Sequence, residues 1–145
     1  MKLGRFIVLI HFYLCFTLLK GQCDTLPPAC ATLLNDFVSD GQLHRALLLN
    51  TGEYAEFRQI FFGGNLYRLG VCNGSGQSVL VFRVYDRDRH LLFTNHDHMY
   101  KTFWDFKVKF TQEVTIEVEL REGSVDKSAC VMLMIGFKAP SLKKP

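Results

Sequence analysis

The chain lacks an excess of charge of either sign once its first 21 residues are set aside. Among its 145 residues, 17 Lys and Arg face 14 Asp and Glu. Three of the basic residues, Lys2, Arg5 and Lys20, lie in the first 21 residues, which contain no acid. From Gln22 onward, 14 basic residues therefore balance 14 acidic ones. A neutral chain without a basic stripe argues against binding to nucleic acid.

Proline is absent between Pro28 and Pro140. Because proline cannot donate a ladder hydrogen bond, its absence lets every intervening segment join a sheet. Apolar runs alternate there with turn signals, a pattern typical of all-β proteins. The runs are Leu43–Leu49, Tyr54–Phe62, Leu66–Cys72, Val79–Tyr85, His90–Thr94, Phe103–Phe110, Val114–Leu120 and Ala129–Phe137.

Alternation within the runs predicts which faces are buried. Apolar and charged residues alternate from Trp104 to Phe110, which predicts that Trp104 belongs to the core. We expect the lysines of this run to lie opposite the acids of Val114–Leu120, which would pair Lys107 and Lys109 with Glu117 and Glu119. The run from Cys130 to Ile135 does not alternate, which indicates a central strand covered on both faces.

These patterns predict an all-β fold, an antiparallel β-sandwich of about eight strands that is jelly-roll-like. We expect the sandwich domain to span residues 43–138. Residues 22–42, which begin near Pro27 and Pro28, should form a short helical or irregular N-terminal cover. Residues 139–145 should form a C-terminal tail.

The first 21 residues have the layout of a secretory signal peptide. Lys2 and Arg5 precede an apolar run from Phe6 to Leu19, and Gly21 is a small residue at a plausible cleavage point. The run is shorter than the roughly 20 residues that a membrane-spanning helix needs. We therefore expect a protein that is secreted, periplasmic or held at the cell envelope, with no membrane span after cleavage.

Four cysteines remain after the proposed signal, and an even number in an oxidising compartment predicts disulfides. Cys72 and Cys130 both lie at strand ends beside loops, which favours a bond between them. Cys23 would then pair with Cys30, provided that Cys23 survives processing of the signal. In the alternative pairing, Cys30 bonds to Cys72 or Cys130 and clamps the N-terminal cover onto the sandwich.

Metal binding is a weaker interpretation, and we expect neither a metal nor a cofactor. Asp86 and Asp88 have carboxylates suited to calcium, but the EF-hand order is missing and Asp is common in turns. His96 and His98 have the spacing of zinc or copper ligands on a strand, but they lie in a polar loop without an evident third ligand.

No catalytic signature is present. The chain has no Gly-x-Ser-x-Gly elbow, and the carboxylates of Glu117 and Glu119 would belong to a salt-paired surface. The sequence therefore favours a non-enzymatic protein. The rival hypothesis is a metal-dependent or hydrolytic enzyme that uses the region from His90 to Asp105. A further hypothesis is a structural envelope protein that assembles through an edge strand.

Aromatic residues near loops give the remaining functional hypothesis. Tyr85, Phe93 and Tyr100 are candidates for a ligand face, because sugar-binding sandwiches stack pyranose rings on such aromatic residues. The leading prediction is a secreted, non-catalytic binding or accessory module. Its partner would be a protein or a glycan at the cell surface.

Several motifs resemble those of known protein groups. They are Asp40-Gly41-Gln42, Tyr67-Arg68-Leu69, Val84-Tyr85-Asp86-Arg87-Asp88, Phe103-Trp104-Asp105-Phe106 and Gly136-Phe137-Lys138. Their order resembles that in small secreted β-sandwich proteins of Bacteroidota-type bacteria, whose function is not established. It is distantly similar to bacterial pre-peptidase C-terminal domains and other GOLD-like jelly rolls. The resemblance implies a non-catalytic accessory domain, although pre-peptidase domains normally accompany a protease, for which this chain has no room.

Overall fold

The computed structural model describes Cys23, residues 28–74 and residues 79–139. The proposed signal peptide, and the tail beyond residue 139, lie outside the described residues. Within the described part of the chain, no helix has both the length and the apolar character needed to cross a bilayer.

Nine antiparallel strands dominate the structure. The N-terminal segment forms a four-residue helix, α1 (Pro28–Ala31), and a 3₁₀ turn (Thr32–Leu34); a second 3₁₀ turn spans Asn95–His98. The strands are β1 (Val38–Ser39), β2 (His44–Leu48), β3 (Tyr54–Phe61), β4 (Leu66–Asn73), β5 (Leu80–Tyr85), β6 (Leu91–Thr94), β7 (Phe103–Lys107), β8 (Gln112–Leu120) and β9 (Ala129–Lys138).

The strands form two sheets that pack face to face. Sheet A has the order β1-β9-β4-β7, with β2 also paired to β9, and sheet B has the order β3-β8-β5-β6. The prediction of an all-β antiparallel sandwich is confirmed. Of the six pairs that the eight longer strands form in the described sheets, five join strands that are not consecutive in the sequence. The jelly-roll winding stays a prediction.

The core lies between the two sheets and follows the alternation of the strands. On β8, Val114, Ile116, Val118 and Leu120 point inward and are buried. From sheet A they meet the inward residues of the central strands, Leu69, Val71, Val131, Leu133 and Ile135. Strand β9 is buried on both faces along most of its length, as its lack of alternation predicts.

The other face of sheet A is covered by the N-terminal segment. Leu33 packs on Gly70, and Leu34 and Phe37 pack on Gly136; a Cβ added at Gly136 would lie 2.8 Å from the Cβ of Phe37. The two glycines therefore let this segment approach the sheet closely. Pro28 begins α1, a position that proline tolerates because its missing N–H has no intrahelical partner there.

The disulfide pairing differs from the favoured prediction. Cys23 bonds to Cys130 and Cys30 bonds to Cys72, with Cα–Cα distances of 5.5 and 5.7 Å. The expected Cys72–Cys130 and Cys23–Cys30 bonds are therefore wrong, and the clamp left open as an alternative is present. In the β4–β9 register Cys72 lies opposite Met132, two residues from Cys130. The side chains of Cys72 and Cys130 both face outward, so each bonds to a cysteine of the covering segment.

The expected pairing of lysines with glutamates is also wrong. Strand β7 ends at Lys107, belongs to sheet A and pairs with β4, so Lys107 lies opposite Leu66. Strand β8 lies in sheet B, where Glu119 binds Arg83 and Glu117 binds Arg89. The chain crosses from one sheet to the other between β7 and β8, whereas the prediction required a hairpin.

Candidate binding surface at one end of the sandwich

The histidines that were candidates for a metal or catalytic site do not converge. The Nδ1 of His90 lies 3.0 Å from Asp86, and the Nδ1 of His96 lies 3.0 Å from Asp97. The ring of His98 packs against Trp104, with ring centroids 4.3 Å apart. Among the described residues, no group of three or more His, Cys, Asp or Glu side chains is arranged to hold a metal ion.

The calcium candidates Asp86 and Asp88 form a turn. The Oδ1 of Asp86 accepts the backbone N–H groups of Asp88 and His90. These bonds, that from His90 foremost, lower the pKa of Asp86 below its ordinary value. Asp105, at the other end of the proposed enzyme region, binds Arg68 through both carboxylate oxygens at 2.6 and 2.8 Å. The His90–Asp105 region therefore does not form one catalytic site.

The three ring residues proposed as a ligand face do not share a face. Tyr85 lies on the outer side of sheet B, where the guanidinium of Arg89 is 4.7 Å from its ring centroid. Phe93 points inward and contacts Trp104 and Phe106. Tyr100 lies in the loop after the second 3₁₀ turn, with Arg121 over its ring. Phe93 lies opposite Val84, the neighbour of Tyr85 on β5. Because neighbouring positions of a strand point to opposite sides, Tyr85 and Phe93 cannot stack on one ligand.

Trp104 lies on the expected inward face of β7, but its side chain is only half-buried. It belongs to the edge of the core, where it packs on Phe93 with ring centroids 5.0 Å apart. Strand β7 is an edge strand of sheet A, so Trp104 is covered on one side and borders solvent on the other. We assign Trp104 to the closure of the corner between the two sheets.

Charged side chains cover the outer face of sheet B and satisfy one another. Arg83 and Glu119 form two hydrogen bonds of 2.8 and 2.9 Å. Arg89 lies 2.6 Å from Glu117 and 3.2 Å from Glu56, two glutamates that are directly opposite in the β3–β8 register. Arg89 thus offsets a repulsion between two facing carboxylates. The carboxylate of Glu117 is buried within this network, where Arg89 balances its charge.

Exposed apolar side chains gather at one end of the sandwich, around the β3–β4 turn and the β7–β8 connection. Phe110 is 80% exposed and Phe62 is 59% exposed, and Ile60 and Leu92 are also exposed. We call these four residues the aromatic end. Exposed apolar clusters on secreted domains are typical of interaction sites.

The backbone that presents Phe62 and Phe110 is held by long-range hydrogen bonds. The N–H of Gly63 donates to the Oγ1 of Thr111 at 3.0 Å, and the N–H of Gly64 donates to the carbonyl of Val108 at 2.8 Å. A Cβ at Gly63 would lie 2.8 Å from the carbonyl oxygen of Lys109, so this close approach requires glycine. The two loops therefore form one platform for the exposed rings.

A groove runs beside this platform, between the edge strands β6 and β7. Its volume is about 270 Å³. The described residues that line it are Phe61, Val84, Leu92, Phe106, Lys107, Val108, Lys109, Phe110, Gln112 and Val114. On the other side of the platform a shallower depression is lined by Arg58, Gln59, Ile60, Phe62 and Glu113. The aromatic end thus separates two concave regions.

Sequence reasoning missed the aromatic end. Phe62 ends an apolar run and Phe110 continues the alternation that begins at Trp104, so both were assigned to strands. Strand β3 ends at Phe61 and β7 ends at Lys107, which leaves both rings on loops. The Gly63-Gly64 turn directly after Phe62 was the available signal, because a turn at that point removes Phe62 from the ladder.

Comparisons with known proteins do not assign the chain to a family. No family model matches the chain, and no curated protein matches it. One similar solved structure is PliG of Aeromonas hydrophila, a periplasmic lysozyme inhibitor of g-type lysozyme. The two chains are 13% identical, with a TM-score of 0.49, and the match covers 66% of this chain and 88% of PliG.

Proposed function

We propose that this chain is a secreted or envelope-located, non-catalytic module that binds a protein partner through the aromatic end. The observation that carries the proposal is the exposure of Phe62 and Phe110 on two loops that are hydrogen-bonded to each other. Aromatic side chains on a fixed backbone bind with a small loss of conformational entropy. They are also enriched among the residues that dominate binding energy at protein interfaces.

A protein partner is favoured over a glycan by the neighbours of the two rings. Ile60 lines one depression with Phe62, and Leu92 lines the groove with Phe110, so each exposed ring has an exposed aliphatic neighbour. Sugars need several polar groups placed to bind their hydroxyls. An aliphatic side chain beside each ring resembles the apolar core of a protein interface.

Export is supported by the disulfides. All four described cysteines are paired, a state that persists in oxidising compartments and is rare in the cytosol. The apolar first segment of the sequence agrees with this location. A non-catalytic role is supported by the separate environments of His90, His96 and His98, each of which has its own neighbouring partner.

The proposal is tested by site-specific photo-crosslinking in an envelope extract. A benzophenone amino acid at position 110 should give a crosslinked protein, whereas the same group at position 125 should not. Val125 is the matched control because it is an apolar loop residue that is also 80% exposed. Equal products at both positions would contradict the proposal.

The captured protein then allows a quantitative test. The Phe62→Ala, Phe110→Ala double variant should bind it about 30-fold more weakly, because removing two interface anchors costs about 2 kcal/mol or more. Val125→Ala should leave the affinity unchanged. Thermal unfolding checks that both variants remain folded. An unchanged affinity in a folded double variant would show that the aromatic end is not the binding surface.

A further inference from the structure

The groove beside the aromatic end has a defined floor and rim. Its floor is core, formed by Phe61, Val84 and Val114, which are all buried. Its rim includes the exposed side chains of Leu92 and Phe110. Towards the second 3₁₀ turn, the corner between the sheets is closed by Phe93 against Trp104 and Phe106. The groove is thus an apolar opening into the sandwich at a fixed place.

The size of the groove favours a single side chain over a whole small ligand. Pockets for drug-sized ligands measure roughly 300–1,000 Å³, and this groove measures about 270 Å³. A phenylalanine or leucine that belongs to a longer chain fits such a space, while the rest of that chain lies outside it. The occupant expected from the volume is therefore one apolar residue of a segment.

The charge of the rim indicates what lies beside that residue. Lys107 and Lys109 both line the groove, and none of the described residues that line it has a carboxylate. Two lysines without a neighbouring acid in the groove favour an occupant with negative charge. The charge is local, because the chain from Gln22 onward is neutral.

The surrounding strands favour an extended segment. In the described sheets, β6 pairs with β5 alone and β7 pairs with β4 alone, so each has one unpaired edge. An unpaired edge binds extended peptides through main-chain hydrogen bonds, while alternate side chains enter pockets. Apolar floor, cationic rim and free strand edges therefore occur together at this corner.

We propose that the groove between β6 and β7 takes one apolar side chain of an acidic, extended peptide segment in the partner protein, with its carboxylates against Lys107 and Lys109. This rests on the proposed function and adds the chemistry of the partner. An anionic membrane surface and a second copy of this chain are the other occupants that such a groove permits, and the test separates them.

The first measurement uses two acetylated nine-residue peptides with a central phenylalanine. One has aspartate and glutamate on each side of the phenylalanine, and its twin has asparagine and glutamine there. In NMR titrations of the full disulfide-bonded protein, the acidic peptide should shift the amide signals of residues 107–110 saturably. The twin should bind at least tenfold more weakly than the acidic peptide. Added salt should weaken the binding of the acidic peptide.

Substitutions of single lysines test which positive charges bind the acidic peptide. Lys109→Gln should weaken binding of the acidic peptide about three- to tenfold, whereas Lys127→Gln, in the exposed loop before β9, should not. Equal binding of the two peptides, no binding at millimolar concentration, or equal effects of the two lysine variants would overturn the proposal. Tighter binding of phosphatidylglycerol vesicles at the same residues, or self-association through them, would also overturn it.

Failure of this inference is distinguishable from failure of the proposed function. One outcome is that the partner crosslinked at position 110 binds the Lys107→Gln, Lys109→Gln variant with unchanged affinity. In that case the proposal of an acidic segment is wrong, and the proposal that the aromatic end binds a protein is unaffected. If position 110 gives no crosslinked partner, the proposed function itself is wrong.

Discussion

The outer faces of the two sheets are protected in different ways. Sheet A is covered by the N-terminal segment, which is joined to it by two disulfides and rests on Gly70 and Gly136. Sheet B has no such cover among the described residues and presents paired Arg and Glu side chains instead. The outer face of a sheet can therefore be covered either by a packed segment of the chain or by paired charged side chains.

This difference explains the composition of the central strands. On β9 the outward residues include Met132 and Met134, which are buried under the cover. On β8 the outward residues include Glu117 and Glu119, which are paired with arginines. The stability of sheet A should therefore depend on covalent attachment and close packing, and that of sheet B on ion pairs between its charged side chains. Four measurements test this contrast.

Removing the Cys30–Cys72 disulfide should have the largest effect. The bond spans 42 positions, and on the chain-entropy model a loop of that length stabilises by about 4 kcal/mol. The Cys30→Ala, Cys72→Ala variant should therefore lose about 4 kcal/mol in urea unfolding, with Cys23–Cys130 retained. A loss below about 1 kcal/mol would show that the cover is held by packing alone.

Gly136→Ala should have the next largest effect. The added methyl group would lie 2.8 Å from the Cβ of Phe37 and 3.0 Å from Leu34, so the cover would have to shift. Overpacking of this kind costs about 1–3 kcal/mol. Gly74→Ala is the matched control, because an added Cβ there meets nothing within 4 Å. Equal stabilities of the two variants would place the cover away from Gly136.

On sheet B the Arg83–Glu119 pair should contribute less. A double-mutant cycle with Arg83→Gln and Glu119→Gln should give a coupling free energy of about 0.5–1 kcal/mol, because the pair is bidentate but screened by solvent. The Arg58–Glu56 pair is the control, since Arg58 is 71% exposed and should couple near zero. A coupling above about 2 kcal/mol would make sheet B as dependent on single contacts as sheet A.

The smallest effect should come from the side chain of Tyr85, as a change in the pH dependence of the free energy of unfolding. Its partial burial, and then the negative charge of Glu117, raise the pKa of Tyr85 above its ordinary value. The neutral phenol is thus favoured in the folded state. The contribution of this preference to the free energy of unfolding is fully present below the pKa that Tyr85 has in the unfolded state. It is lost as the pH rises through the pKa that Tyr85 has in the folded state.

Absorbance titration tests the pKa of Tyr85. The difference between the wild type and Tyr85→Phe should show a phenol that ionises above its ordinary range, and Glu117→Gln should move the pKa back towards that range. An ordinary pKa for Tyr85 in the wild type would mean that the outer face of sheet B is more hydrated than the contacts indicate.

Alternation and turn residues were sufficient to predict the sandwich and eight of the nine described strands, because these follow from local spacing. Strand β1 was missed, since Val38 and Ser39 lie in the segment expected to be a helical or irregular cover. The burial of β9 was also predictable, since an unbroken apolar run needs cover on both faces. Alternation does not identify the neighbouring strand, however. Lys107 has the same pattern whether it faces Glu117 or Leu66, and the pairing depends on where the chain crosses between sheets.

The disulfides and the aromatic end depend on contacts that are distant in sequence. Cys72 and Cys130 are close enough to suggest a bond, but the covering segment brings Cys30 and Cys23 to them. Phe110 is exposed because Gly63, 48 positions away from Thr111, fixes the loop in which it lies. The Gly63-Gly64 turn indicates that the strand ends near Phe62, but local spacing does not indicate the exposure of Phe110 or the choice between the alternative cysteine pairings.

The Cys23–Cys130 bond has a consequence for the outcome of proteolysis. Because it joins two points 107 positions apart, almost the whole described chain belongs to one covalent ring. A single proteolytic cut anywhere between these cysteines opens the ring but releases no fragment. A nicked molecule therefore keeps all of its strands together and can still present Phe62 and Phe110, until a second cut or a reductant separates the pieces.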